Sequence, residues 1–373
     1  MDLQYNLRLQ KIEAVLDRWL PGKPDSAWGA EVFPGPGAVP ESGMFHSLIQ
    51  PGRDLLSRGG KRWRPLFMIL VCETLGGGDA ALPLSPLVEF SHNASLIHDD
   101  IEDNSRERRG KPAVHLLYGT DTAINSGSFL YFLALNCIDT WAESFESSAA
   151  KTQAAIVKSD DNAKNTLYSL WGQYMRRLHL GQAMDIGWHR DFSSLPCIED
   201  YFTMCSLKTG CLSRFAAVLG VFAAARVNAK AAEKEKNLSL IMGEAAENLG
   251  VGFQILDDVK NLSGGIPGKQ LGDDIAEGKK SLPVLLYIHR YPEKRDFVSA
   301  CFITAAAEGA GSPKVHELIQ ILEETGILTE AKEQGLAFIT QGRKKLDSVH
   351  DTGIFPMIEE GRRLLDGIFE LIS

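Results

Sequence analysis

Residues 238–261 read LSLIMGEAAENLGVGFQILDDVKN, and the apolar residues Leu238, Ile241, Ala245, Leu249 and Leu256 recur at intervals of three, four and seven. That spacing puts them on one face of an α-helix, which runs straight into an acidic pair, Asp257-Asp258. A second stretch repeats the theme. Residues 91–110, SHNASLIHDDIEDNSRERRG, form an apolar helical run that ends in Asp99, Asp100, Glu102 and Asp103 and continues into Arg106, Arg108 and Arg109. Strand-like alternation is hard to find, so the pattern predicts an all-α fold of ten or more helices packed around a shared centre.

Of the 373 residues, 44% are hydrophobic and 23% are charged, enough apolar material for a large buried core. The helical patterns show no repeat and only one strongly Pro/Gly-rich interruption, so a single domain spanning residues 1–373 is expected. That interruption, residues 21–43, carries five prolines and five glycines and reads as a surface loop. Residues 145–165 are polar and read as a second, mobile loop. A net charge of −9 argues against a nucleic-acid partner, because phosphate backbones are met by clustered Lys and Arg. Local basic clusters at 59–65 (GGKRWRP) and 106–110 (RERRG) instead fit small anionic ligands.

The six cysteines show no C-x-x-C pair and no neighbouring His at metal-ligand spacing, so they read as free thiols of a reducing compartment. The amphipathic N-terminus has acids and no apolar secretory core, and no uncharged run reaches the ~18 residues of a membrane span. A cytoplasmic protein is expected.

On a helix, Asp99 and Asp103 share a face with Asp100 beside them, and like charges at that spacing cost roughly 0.2–0.5 kcal/mol per pair. The arrangement works against the fold unless something positive arrives. The second helix delivers Asp257 and Asp258, with Gln254 and Asn261 on nearly the same face. All-oxygen donors of this kind suit Mg²⁺, which bridges carboxylates to a substrate phosphate. Lys61, Arg64, Arg108, Arg109, Lys208, Lys269 and Lys279 supply scattered cations that fit two phosphorylated substrates, Arg binding bidentately and Lys as a point charge.

Taken together, the motifs resemble those of the trans-isoprenyl diphosphate synthases, and most closely those of geranylgeranyl diphosphate synthases. DDxxD appears as Asp99-Asp100-Ile-Glu-Asp103, G-K-x-x-R-P as Gly60-Lys61-Arg-Trp-Arg64-Pro65, and FQxxDDxxD as Phe253-Gln254-Ile-Leu-Asp257-Asp258-Val-Lys-Asn261. With Lys208-Thr209, Gly268-Lys269 and GDDIAEGKKSLP they run in family order from about residue 57 to 283. One departure is Asn261, where the motif ends in an acid; the geranylgeranyl synthases of eukaryotic type also carry Asn there.

The resemblance implies a helical bundle around a deep central cavity, a homodimer, and Mg²⁺ as cofactor, three ions in all. Asp99, Asp103 and Asp257 would ligate the metal, supported by Asp100 and Asp258. Arg108, Lys208, Lys269 and Lys279 would hold the allylic diphosphate, whether dimethylallyl, geranyl or farnesyl. Lys61, Arg64, His92 and Arg109 would hold isopentenyl diphosphate, with Gln254 and Thr209 lining the reacting centre. The implied reaction is electrostatic, charge on the departing diphosphate being met by metal and cations.

In this family bulk just before the first DDxxD stops chain growth. Here Ser95 and Ala94 are both small, which implies a product longer than fifteen carbons, with twenty preferred and a longer polyprenyl chain as the alternative. Phe90, nine residues before Asp99 and about 13 Å up the helix axis, is a candidate floor. Two other classes compete. A class I terpene cyclase would share DDxxD but needs no second set of cations, and a non-catalytic subunit would be expected to have lost acids, whereas five of six motif aspartates are present.

Overall fold

A computed structural model of the chain describes residues 3–36, 45–149, 161–191, 195–264 and 270–372. Among them are nineteen helices: α1 (Leu3–Trp19), α2 (Ser26–Val32), α3 (His46–Ser57), α4 (Trp63–Thr74), α5 (Ser85–Glu102), α6 (Val114–Tyr118), α7 (Thr120–Leu133), α8 (Asn136–Ala149), α9 (Asp161–Arg190), α10 (Ile198–Cys205), α11 (Cys211–Val227), α12 (Ala229–Glu233), α13 (Glu235–Ser263), α14 (Asp273–Ala276), α15 (Leu282–Arg290), α16 (Arg295–Glu308), α17 (Pro313–Glu324), α18 (Ile327–Asp351) and α19 (Glu359–Ile372). The strands among the described residues are two-residue pieces, β1 (Glu107–Arg108) and β2 (Lys111–Pro112), paired as an antiparallel hairpin. The all-α expectation holds.

Two loop expectations need correction. Within residues 21–43 lies α2, started by Asp25, whose carboxylate accepts the Trp28 N–H at 2.8 Å, and held because the Trp28 indole N–H donates to the Trp19 carbonyl at 3.1 Å. The segment 145–165 is helical at both ends, where α8 runs to Ala149 and α9 begins at Asp161; its middle, 150–160, lies outside the described residues. Polar composition misled there, because Ala163 and Leu167 already give α9 a buried face.

The described residues form two compact units. The first comprises Met1–Gln173, Phe215–Met242 and Thr352–Ile368; the second comprises Tyr174–Arg214, Gly243–Asp351 and Phe369–Ser373. In the first, α5 packs against α1, α3, α4 and α7. Nearly every residue of α4 is buried, Phe67 and Leu70 among them, and so are Leu87 and Phe90 of α5, the helix it packs against. The second has its own core, with Tyr201, Ile255, Leu262, Leu282, Phe302 and Leu318 among its buried side chains.

The end of α5 is shaped by sequence. Pro86 fits the first turn, where an N–H would go unused. At the other end Asn104 adopts the left-handed region at φ 52°, its N–H reaching the Ile101 carbonyl while the Ser105 N–H reaches that of Asp100 at 2.9 Å. This pair of bonds is a Schellman motif, and it stops the helix directly after the acidic cluster.

Candidate diphosphate and metal sites

The first unit gathers the first acidic cluster with one set of cations. Asp99 and Asp103 lie one helical turn apart, the Asp103 N–H donating to the Asp99 carbonyl at 2.8 Å, and both are partly accessible. Asp100 is fully buried, and its Oδ1 accepts two Arg108 N–H bonds at 2.8 and 2.5 Å. Burial pushes the Asp100 carboxyl above its ordinary range, with Arg108 opposing the shift. Arg108 also lies 3.6 Å from Asp99 Oδ2, so here it neutralises the acids rather than standing open.

Arg108 and Arg109 reach this place through a two-residue turn. Arg109 and Gly110 take φ of 54° and 73° between β1 and β2, the geometry of a type I′ hairpin. Arg58 clamps that hairpin, donating to the Arg108 and Pro112 carbonyls at 3.0 and 2.9 Å. Arg109 donates to the Leu55 carbonyl at 3.1 Å and also bonds that of Gly59. Burial lowers its pKa to about 10, helped by Arg62, Arg108 and Arg58 and opposed by Glu89.

The loop before α4 holds the other predicted cations. Gly60 sits at φ 141°, and a Cβ there would meet Arg62 Nη1 at 3.1 Å and Arg109 Nη2 at 3.2 Å, so a side chain at this position would strain the backbone and press on both guanidinium groups. Lys61 is exposed, whereas Arg64 is buried with its guanidinium over the Trp63 ring at 4.5 Å. His92 faces the same cations: burial, then Arg64, Arg109, Arg62 and Arg108, hold its pKa well below the usual value, so the imidazole is neutral at pH 7.

The second unit gathers the remaining motifs. Lys208 and Thr209 lie in a single π-helical turn, Ser206–Gly210, between α10 and α11. Helix α9 passes so close that a Cβ on Gly181 would meet the Lys208 backbone nitrogen at 2.4 Å. From α9, Asp185 Oδ2 meets Lys208 Nζ at 2.5 Å while its Oδ1 meets His189 Nε2 at 2.7 Å. Burial alone would raise the Asp185 pKa; Lys208, His189 and Lys279 outweigh it and hold the carboxylate well below its usual range.

Thr209 Oγ1 donates to Gln254 Oε1 at 2.8 Å, and Gln254 Nε2 donates to Asp258 Oδ1 at 2.9 Å. The buried Tyr201 hydroxyl donates to Asp258 Oδ2 at 2.7 Å. Burial and the neighbouring Asp274 raise the Asp258 pKa to about 7, against these two hydrogen bonds. Asp257, beside it on α13, is partly accessible. Asn261 is fully buried; its side-chain oxygen accepts the Asp274 N–H at 3.2 Å and its carbonyl that of Gly272 at 3.0 Å. It therefore fixes the turn into α14. Lys279 sits 2.6 Å from Glu277 and 3.7 Å from Asp274, and Lys269 lies outside the described residues.

The donors fit a hard divalent cation. All are carboxylates, and Asp100 Oδ2 is buried without a hydrogen bond among the described residues, as a site awaiting positive charge would have it. Among those residues no three His, Cys, Asp or Glu side chains converge on one point. Water and substrate oxygens would complete the coordination, which is how Mg²⁺ is usually held.

Sequence reasoning missed the supports behind these groups. Arg62, 4% exposed and left-handed at φ 45°, donates to Glu89 at 2.9 Å, Glu13 at 2.8 Å and the Leu56 carbonyl at 2.6 Å, while Asn93 donates to Glu89 at 2.8 Å. A lone acid in the apolar run PLVEF was the available signal for Glu89, and the i, i+4 pair in DIGWH the signal for Asp185 and His189. Of the chain-length candidates, Ala94 and Phe90 are fully buried and Ser95 is partly accessible.

Helical acids at two chain positions, backed by lysines and arginines in an all-α chain, are the donor and cation set of an enzyme that handles diphosphates. A sequence model of the family described as polyprenyl synthetase matches residues 46–321, and the chain belongs to that family. It is 30% identical over 324 residues to a geranylfarnesyl diphosphate synthase of Aeropyrum pernix, covering 85% of this chain and 91% of that one. It is 29% identical over 312 residues to a geranylgeranyl diphosphate synthase of Methanosarcina mazei, covering 82% and 84%. A crystal structure of geranylgeranyl pyrophosphate synthetase from Pyrococcus horikoshii superposes with a TM-score of 0.71 at 26% identity, covering 99% of this chain and 98% of that one.

Proposed function

We infer that the protein joins isopentenyl diphosphate head to tail, in the trans geometry, to an allylic diphosphate and releases chains longer than fifteen carbons, chiefly the twenty-carbon geranylgeranyl diphosphate. The observation that carries this reading is the setting of the acids: Asp100 of the first motif is buried against Arg108, and in the second unit Asp258 is buried against Gln254 and Tyr201 while Lys208 of the neighbouring motif is held by Asp185.

In the reaction the allylic C1–O bond breaks, C1 bonds to the terminal alkene carbon of isopentenyl diphosphate, and a proton leaves to the released diphosphate. Arg108, Lys208 and Lys279 meet the charge of the allylic diphosphate, as would Lys269. Lys61, Arg64, Arg109 and neutral His92 hold isopentenyl diphosphate, and the Gln254 and Thr209 dipoles face the developing allylic cation. Asp99, Asp103 and Asp257, supported by Asp100 and Asp258, are the groups that would hold Mg²⁺, which when bound supplies positive charge against the leaving diphosphate. Three such ions would share with the lysines and arginines the charge of the diphosphates and these acids. No side chain has to act as general base.

A homodimer is supported by the apolar residues that α6 and α7 leave uncovered: Leu116 is 56% exposed and Phe132 64%. A cytoplasmic setting is supported by six free cysteines. One helical stretch, Ile198–Val227, is long and apolar enough to cross a membrane, but 78% of its window is buried inside the protein.

Incubation with isopentenyl diphosphate, each allylic primer and Mg²⁺ tests the reading. Isopentenyl diphosphate is expected to be consumed, with Asp99→Ala and Asp257→Ala each losing more than about tenfold of the rate. A protein that leaves it untouched, as a cyclase or a binding subunit would, contradicts the reading.

A further inference from the structure

Helix α5 carries two kinds of surface. Ser95, Leu96 and Asp99, at i, i+1 and i+4, form a short stripe that stays partly accessible, whereas Ser85 to Ser91 are buried on every side. Accessible surface on this side runs back from the acids for about one turn and then ends. One turn further back the indole N–H of Trp171, from α9, donates to Ser91 Oγ at 3.3 Å. Ser91 lies eight residues before Asp99, about 12 Å along the helix axis. Trp171 itself is partly accessible, whereas Leu167, one turn earlier on α9, is fully buried.

A prenyl chain fixed by its diphosphate near Asp99 has to lay its growing apolar tail along protein surface, away from water. On α5 the surface for that tail is the stripe, and an indole beyond its far end is a rigid, bulky obstacle anchored by a hydrogen bond. We propose that Trp171, held by Ser91, is the stop that limits how many five-carbon units the product acquires. The proposal rests on the prenyltransferase reading and extends it to a residue on a different helix from Ala94, Ser95 and Phe90.

The test is product analysis with isopentenyl diphosphate, farnesyl diphosphate and Mg²⁺ for the wild type, Trp171→Ala, Trp171→Phe and Ser91→Leu. Removing the indole is expected to raise the share of products longer than the wild-type main product at least roughly tenfold, the discrimination a hydrophobic pocket commonly achieves. Trp171→Phe keeps most of the bulk and is expected to stay near wild type, and Ser91→Leu, which narrows the same end, to shorten the products. The two leucine-sized and alanine-sized changes act in opposite directions on different helices, so a folding failure in one leaves the other decisive. A wild type that consumes isopentenyl diphosphate, together with variants of unchanged product length, overturns the proposal while leaving the prenyltransferase reading intact. A wild type that consumes none overturns that reading instead.

Discussion

Glu89 is the buried anion among the arginines that the isopentenyl diphosphate reading relies on. Its carboxylate is 2% exposed and accepts bonds from Arg62 at 2.9 Å and Asn93 at 2.8 Å. Glu89→Gln keeps the shape and one acceptor oxygen but leaves the Arg62 guanidinium buried with only Glu13, whose side chain is 44% exposed, as a charged partner. Removing one member of a buried ion pair costs about 3–5 kcal/mol, and the remaining bond to Glu13 puts this case at the lower end, about 3 kcal/mol. The assay is chemical denaturation of wild type and variant, with and without isopentenyl diphosphate. An anion arriving among Arg62, Arg64 and Arg109 replaces the lost charge, so the ligand is expected to stabilise the variant more than the wild type. The double variant Arg62→Met/Glu89→Leu, which removes both charges, is expected to recover more than half of the lost stability. A Glu89→Gln protein within about 0.5 kcal/mol of wild type in the absence of ligand would refute the argument.

Two further outcomes follow from buried groups of the second unit. Lys280 is 2% exposed, donates to the Gly278 carbonyl at 2.7 Å, lies over the Phe302 ring, and has its pKa lowered by burial from 10.5 to about 8. Its charged form is the one folding disfavours, so its penalty is full below pH 8 and fades as pH rises towards 10.5. Lys280→Met is accordingly expected to be more stable than wild type at pH 7, by at most about 3 kcal/mol, with the gap closing above pH 10; a gap that does not depend on pH would contradict this. Asn261→Asp keeps the acceptor for the Asp274 N–H but adds a fully buried acid beside Asp258 and Asp274. It should lower stability by about 3 kcal/mol without Mg²⁺ and regain part of it when Mg²⁺ is added, as read by thermal unfolding; equal stability without the ion would count against the buried-acid account.

What could be read from the chain follows from which signals are local. Periodicity in residues 238–261 was enough for the all-α class, and the acids, cations and spacing of GGKRWRP, DDIEDNS and FQILDDVKN placed the candidate groups on helix ends and turns. Two helices escaped that reading. In 26–32 a capping Asp25 and a buried Trp28 outweigh the surrounding Pro and Gly, and at the start of α9 a thin apolar face was hidden by polar neighbours. The partners of the site residues were harder still. Asp185 with Lys208, Tyr201 with Asp258 and Arg62 with Glu89 are separated by 23, 57 and 27 positions, and no periodicity records such tertiary pairs. Asn261 shows the same limit, since the motif marks the position while only the fold shows it tethering the turn at Gly272 and Asp274.

The most direct measurement is the chain length of the products, released as alcohols by phosphatase and resolved by mass spectrometry, from isopentenyl diphosphate with dimethylallyl, geranyl or farnesyl diphosphate and Mg²⁺. The account predicts that isopentenyl diphosphate is consumed with each accepted primer and that the main product exceeds fifteen carbons, with twenty the chief species. A main product of fifteen carbons or fewer, or no consumption of isopentenyl diphosphate with any primer, would contradict it.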